Sequence, residues 1–373
     1  MNRRIRCNDS HRLQRKEKYT GMKPYQSLTH LGRLRRLTKL ARLALAVFGM
    51  ENARMKLLRD AGNLLFRVVD SPPNPTHKRE GLFEDGVYLM RLLQPAYQTP
   101  EAVVSELQWL SALRQEADLP VPEPIPTREG KWLAEVADPS VPVSRNATLV
   151  RWVKGRMIKR NLQPGHFQAA GRLMARLHDH AAHWQFPPGF SKRHYNWEGF
   201  FVEVTGSNFQ PNEAWKLLPQ DLYEPCRIVA QQSKRVMERW GQERDVYGLI
   251  HADLGIDANC LFWKGEARAI DFDDSGFGYW IYDISVFLEH FRDDSAYPLF
   301  RDAFQAGYSD IRSLPAEQWQ QLELFQAVWH AYEALWSATG AHLFPSEQSE
   351  YMTRVEHAGN QVKRYVEECS RTR

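Results

Sequence analysis

Leu249–Ser285 reads LIHADLGIDANCLFWKGEARAIDFDDSGFGYWIYDIS, a run that crowds six aspartates and Asn259 into 37 residues. Apolar residues lead up to His251 and resume at Cys260-Leu261-Phe262, so Asp253, Asp257 and Asn259 fall in a loop. Lys264-Gly265-Glu266 marks a tight turn, and Ala267–Phe272 reads as a second strand ending at Asp271. The resulting hairpin brings Asp253, Asn259 and Asp271 to one edge. Phosphoryl transfer asks for such a set: a positioned hydroxyl, a carboxylate to take its proton, and Mg²⁺ held against the phosphates. Mg²⁺ takes oxygen ligands at about 2.1 Å, usually one or two protein side chains plus phosphates and water. Asp253 as base and Asn259 and Asp271 as ligands meet each need. A lone His-x-Asp or Asp-Phe-Asp is most often a chance turn; the order of the two around one hairpin carries the reading.

Upstream, Asn52–Asp70 suggests two strands turning at Asp60-Ala61-Gly62-Asn63, and the polar, proline-rich Ser71–Gly81 reads as a loop. Gly86–Leu93 is a third strand carrying Arg91. Thr99–Arg114 predicts a helix, with Thr99 as cap, Pro100 in the first turn and Val103, Leu107, Leu110 and Leu113 on one face. Two more strands are expected near Trp132–Val136 and Thr148–Val153, giving a five-stranded sheet with one inserted helix over residues 45–153. After Gly155 the pattern turns helical, at His166–Trp184, Asp221–Trp240 and from Ile281 onward. Trp329, Tyr332 and Trp336 share one helix face, read first as core packing and second as a ligand surface.

The first 50 residues hold 13 Lys and Arg against Asp9 and Glu17, a charge of +11. The remaining 323 must carry −7 to reach the chain's +4, so the basic character belongs to the N-terminal arm. Such an arm can bind nucleic acid or anionic lipid, but its simplest reading is a disordered tail leading to an amphipathic surface helix through Leu31, Leu34, Leu37, Leu40, Leu43 and Leu45. Nucleic acid is therefore not the expected partner. Met22 offers an alternative start of translation. No stretch approaches the roughly 18 apolar residues of a membrane helix. The four cysteines lie too far apart for a zinc knuckle and fit a reduced, cytoplasmic protein. Nothing in the sequence indicates an oligomeric state.

The run His251-Ala252-Asp253-Leu254 with Asn259, then Ile270-Asp271-Phe272-Asp273-Asp274-Ser275-Gly276-Phe277-Gly278 and Tyr282-Asp283-Ile284, resembles the aminoglycoside phosphotransferase family. The resemblance implies an α+β, bilobal protein-kinase-like fold: a small antiparallel sheet with one key helix (28–153, behind a basic arm 1–27) and a larger, mainly helical lobe (154–373). It implies Asp253 and His251 in catalysis, Asn259, Asp271 and Asp273 at the metal, and Asp283 bracing the loop. Asn63 in the first hairpin, Arg91, its helix partner Glu106, and Val150 and Trp152 at the hinge between lobes are implied for the nucleotide. Arg at 91 offers a fork where Lys would offer a point charge.

One departure stands out. The family places four residues between the Asp and the Asn; here Leu254–Ala258 make five, and Gly255 replaces a second His. Either the extra residue is absorbed beside Gly255 and Asn259 binds metal, or Asp257 substitutes; the strand directly after Asn259 favours the first. The implied activity is transfer of the γ-phosphoryl of ATP, with Mg²⁺, to a hydroxyl of a small molecule. The acidic body suits a cationic acceptor, with Glu289, Asp293, Asp294 and Glu333 as candidate partners. A protein Ser/Thr kinase of the same fold and a non-catalytic nucleotide-binding protein remain the competing readings.

Overall fold

The computed structural model describes residues 23–70, 81–95, 98–204 and 209–371. The arm up to Met22 and all but the last residue of the Ser71–Gly81 segment lie outside the described residues.

The first helix, α1 (His30–Val47), opens at Thr29, whose side chain accepts from Gly32 N–H at 3.2 Å. Leu40, Ala41, Ala44 and Leu45 are buried, while Leu31 and Leu43 point to solvent. The 3.6-residue period selects this stripe; Leu43 falls off it although it looked apolar in line. Burying a leucine gives about 1.5–3 kcal/mol, so α1 docks through its apolar face and leaves Arg33, Arg35 and Arg42 exposed.

That face lies on the sheet formed by β1 (Arg54–Ala61), β2 (Asn63–Val69), β3 (Phe83–Leu92), β4 (Ala134–Val136) and β5 (Arg145–Val153). The strands are antiparallel in the order β1-β2-β3-β5-β4. Gly62, at φ +71°, turns the first hairpin. Helix α2 (Pro100–Glu116) follows β3, with Thr99 accepting from Ala102 N–H at 3.2 Å and Val103, Leu107, Leu110 and Leu113 buried. The predicted strands and helix are thus found, with ends shifted by a few residues.

Gly155 leads out of β5 at φ +148°, where an added Cβ would lie 2.8 Å from the Leu261 Cβ, so only glycine fits. Arg268 fastens this crossing by donating to the carbonyl of Lys154 at 3.0 Å and of Leu82 at 3.3 Å. Beyond it come α3 (Pro164–His183), β6 (His194–Tyr195), α4 (Gln220–Trp240), β7 (Tyr247–Ile250), β8 (Cys260–Trp263), β9 (Glu266–Ala269), β10 (Gly276–Tyr279), α5 (Trp280–Glu289), α6 (Tyr297–Ser309), α7 (Leu322–Leu343) and α8 (Gln348–Arg371). β8 and β9 form the expected hairpin, and β10 lies between β6 and β7, a pairing not foreseen. A protein-kinase-like architecture results, with the 251–259 loop at the mouth between sheet and helices. Among the described residues no helix is long and apolar enough to cross a membrane.

Candidate active site

The loop is hung from Asp283. This fully buried carboxylate accepts from His251 N–H at 3.0 Å, from Ala252 N–H at 2.7 Å, and pairs with His178 Nε2 at 2.9 Å. Burial alone would raise its pKa; the hydrogen bond and charge of His178 and the neighbouring His251 more than offset this and hold it below the ordinary value. The two backbone bonds keep Ala252 at φ +67°, a left-handed conformation that alanine disfavours, and so aim Asp253 outward. Asp271 is also left-handed, at φ +63°. Strain of this kind persists where surroundings over-determine it.

His251 itself does not reach the cleft. Its ring is buried, with Nε2 at 3.0 Å from the Ile270 carbonyl oxygen and Nδ1 at 3.3 Å from Asp253 N. The ring packs on Phe272 and does not line the cavity, so its geometry fits bracing the loop better than the expected catalytic role.

Asp253 opens onto the cleft but is hemmed by its walls. Partial burial, then the charges of Asp274 and Asp271, push its pKa up to about 7. Burial and the Asp273 charge push Asp271 up to about 6. Asn259 Nδ2 donates to Asp253 Oδ2 at 2.8 Å and to its carbonyl at 2.8 Å, which leaves the amide oxygen for another partner. Asp257 is exposed, and among the described residues its side chain forms no hydrogen bond to Asp253. The carbonyl of Gly255 accepts from the N–H groups of Ala258, Asn259 and Cys260, at 3.2, 2.9 and 2.8 Å, and this helical wrap takes up the extra residue. Gly255 has no left-handed angle, and an added Cβ would meet only ordinary contacts, so its glycine is not what absorbs the residue.

Repelling carboxylates with raised pKa values beside a free amide oxygen are what a divalent cation would relieve, so the residues fit Mg²⁺. Among the described residues no three His, Cys, Asp or Glu converge into a closed cage. An ion completed by phosphates and water suits that openness.

Across the cleft Arg91 uses both arms of its fork. Nη2 lies 2.8 Å from both Glu106 oxygens, and Nη1 2.5 Å from Asp273 Oδ1. Asn63 Nδ2 donates to Asp273 Oδ2 at 3.2 Å and Gln98 Nε2 to its carbonyl at 2.7 Å. Asp273, expected at the metal, therefore spends both carboxylate oxygens on Arg91 and Asn63 rather than facing Asn259. Val150 and Trp152 stand apart, on β5. Val150 pairs with Leu89 on one edge and bridges Pro124 on the other, and Trp152 carries the Arg67 guanidinium 5.6 Å from its ring centre.

Beside Asp253 opens a cavity of about 810 Å³. Glu198, Glu203, Asp253, Asp273, Asp274 and Glu333 line it against Lys192, Arg193 and Arg354. Trp329, Tyr332 and Trp336 line it too, so the face read first as core packs on the core and also borders the cavity. Arg193 Nη2 donates to Tyr332 OH at 2.6 Å and stacks 4.4 Å from the Tyr195 ring. Burial raises the pKa of Glu333, which accepts from Ser337 Oγ at 3.0 Å. The other acids proposed for a cationic partner are engaged elsewhere: Glu289 with His330 at 2.6 Å, Asp293 with Arg364 at 2.6 Å, and Asp294 with Ala296 N–H at 2.8 Å.

A family model described as the phosphotransferase enzyme family matches residues 79–325, well over half of the chain. The chain belongs to this family. An amicoumacin kinase of Bacillus subtilis (strain 168) is 22% identical over 250 residues, 66% of this chain, which spans 65% of that relative's length. The structure of a microcompartment-associated aminopropanol kinase superposes with a TM-score of 0.71 at 26% identity, covering 89% of this chain and 98% of that one. An amicoumacin kinase in complex with AMP-PNP and Ca²⁺ gives 0.69 at 19% identity, covering 90% and 96%. Among the residues that line the cavity, Lys192, Arg193, Asp274, Tyr195 and Phe209 were not singled out from the sequence. Only Asp274 had a signal, its place in the quoted Asp-rich run.

Proposed function

We propose that this protein is a Mg²⁺-dependent kinase that phosphorylates a hydroxyl of a small, cationic molecule in the cytoplasm, with residues 28–153 holding nucleotide and 154–373 the catalytic loop and acceptor. The observation that carries this is the convergence of Asn259 and Asp271 on Asp253, which lines an acidic, aromatic-walled cavity. When bound, Mg-ATP supplies the electrophilic phosphorus and the charge that neutralises its oxygens. Asp253 accepts the proton of the acceptor hydroxyl. Asn259 through its amide oxygen and Asp271 would hold the metal, whose charge would lower the pKa values of both aspartates. Arg91, oriented by Glu106, would take phosphate oxygens, with Asp273 beside it as a further candidate ligand. Val150 and Trp152 border the adenine, and Asn63 covers the phosphates from the first hairpin. The aromatic rings and Glu333 suit an ammonium, because a ring face and a desolvated carboxylate both attract one. A concave site of this size suits a small acceptor. The free, buried Cys226 and Cys260 agree with a reducing compartment.

The test is γ-phosphate transfer from labelled ATP and Mg²⁺ to amino alcohols, aminoglycosides, neutral polyols and generic proteins, wild type beside Asp253→Ala. Transfer to a cationic small molecule that drops about 10²–10⁴-fold in the variant is expected. Label entering only protein would replace this reading with a protein kinase. Bound nucleotide with no transfer to any acceptor would favour a non-catalytic nucleotide-binding protein.

A further inference from the structure

We infer that Lys192 binds the terminal phosphate of the nucleotide and is how this site tells a triphosphate from a diphosphate; the inference rests on the kinase reading above. Lys192 is only 8% exposed, yet its ammonium lines the cavity beside Asp253 and Asp274. Its hydrogen bond in the structure, to the Asp273 carbonyl, is long at 3.4 Å. An ammonium carries three donors, and burying a cation without close partners is expensive. Both Glu106 oxygens accept from Arg91, and those of Asp273 from Arg91 and Asn63; Asp274 attracts Lys192 by charge.

The position is not accidental slack. Ser191 N–H donates to Ser105 Oγ on α2 at 2.8 Å, and the Arg193 carbonyl accepts from Phe277 N–H at 2.9 Å. The backbone on either side of Lys192 is thus pinned to both lobes, and the residue lines the same cavity as Asp253, Asp273 and Asp274. A cation beside both the acceptor's base and the Asp273 segment is placed for the transferring phosphoryl. Arg91, anchored by Glu106 on the sheet side, serves the inner phosphates. A point-like ammonium on a flexible stem can turn from the Asp273 carbonyl to a phosphate oxygen, as a rigid fork cannot. Lys192 gives up no proton in this role; it contributes charge and hydrogen bonds.

The experiment uses the full chain without acceptor. Calorimetry measures Mg-AMP-PNP and Mg-ADP affinities for wild type, Lys192→Met and Lys192→Arg. The methionine variant should lose about ten- to a hundredfold in AMP-PNP affinity while ADP stays within about twofold, with arginine recovering part of the loss. Equal losses for both nucleotides, or none, would make Lys192 a prop for the Asp273 segment and overturn the inference. Should the methionine variant not fold, the wild-type protein decides: the ¹³Cε signal of Lys192, assigned through Lys192→Arg, should move with Mg-AMP-PNP and not with Mg-ADP. Movement with both or neither overturns the inference. Wild type binding neither nucleotide would sink the kinase reading as well, whereas binding both without discrimination at Lys192 sinks this inference alone.

Discussion

On one side of the cleft, Arg91 reaches Asp273 across 182 residues of chain and Glu106 across 15, so its charges are already matched. On the other, Glu333 takes its hydrogen bond from Ser337, four residues along the same helix, and otherwise faces rings and open cavity. The first wall is a cross-braced lattice whose parts hold one another in place. The second is a carboxylate framed by aromatic rings, with the Arg354 charge beside it and, among the described residues, no ion pair to fix it. The contrast separates chemistry from selectivity: substitutions in the lattice should affect every acceptor alike, and those in the frame should discriminate among acceptors.

The largest effect that tests this belongs to the metal side. Asn259→Ala should cut transfer about 100-fold for every acceptor and raise the Mg²⁺ needed for half-maximal rate, while Asp257→Ala stays within about twofold. Steady-state rates across a Mg²⁺ titration check it, and the reverse ranking would mean that Asp257 holds the ion. Glu333→Gln comes next. It should raise KM for cationic acceptors about tenfold, leaving KM for ATP and for neutral acceptors unchanged. A uniform loss would erase the distinction between the walls.

A subtler effect is on stability. The Asp253 pKa is about 7 in the folded protein against an ordinary value of 3.8. A raised carboxylate pKa means that the folded state holds the proton more tightly, so stability falls as pH rises from about 4 through 7. Asn at this position cannot ionise. Without metal or nucleotide, Asp253→Asn should therefore melt higher than wild type at pH 8, with the gap closing toward pH 4. A gap independent of pH would contradict the crowded-carboxylate account. The smallest effect is at Ala252, where φ is +67°. Ala252→Gly should stabilise by up to about 1 kcal/mol in denaturant melts, since glycine adopts that angle freely.

Much of the lattice was legible beforehand because its signals are local. Asp253, Asn259 and Asp271 sit within one hairpin's span, and Thr99 and Pro100 announce the helix that carries Glu106. The misreadings share a physical origin. His251 stands in a polar motif, but its ring turns inward, a choice made by Asp283 and the Ile270 carbonyl rather than by neighbours in sequence. Trp329, Tyr332 and Trp336 have the spacing of a buried stripe, and only the opposing Lys192–Asn196 segment decides that the stripe faces a cavity. Lys192 and Arg193 lie in an aperiodic stretch, with partners at Asp273 and Tyr332 that are 81 and 139 residues away.

Two adjacent residues of α2 point in different directions: Glu106 to Arg91, Ser105 to Ser191, which lines the cavity beside Asp253. A helix moves as one body, so any ligand that shifts it through one contact shifts the other. Thermodynamic linkage then requires reciprocity: if nucleotide tightens acceptor binding through α2, acceptor must tighten nucleotide binding by the same factor.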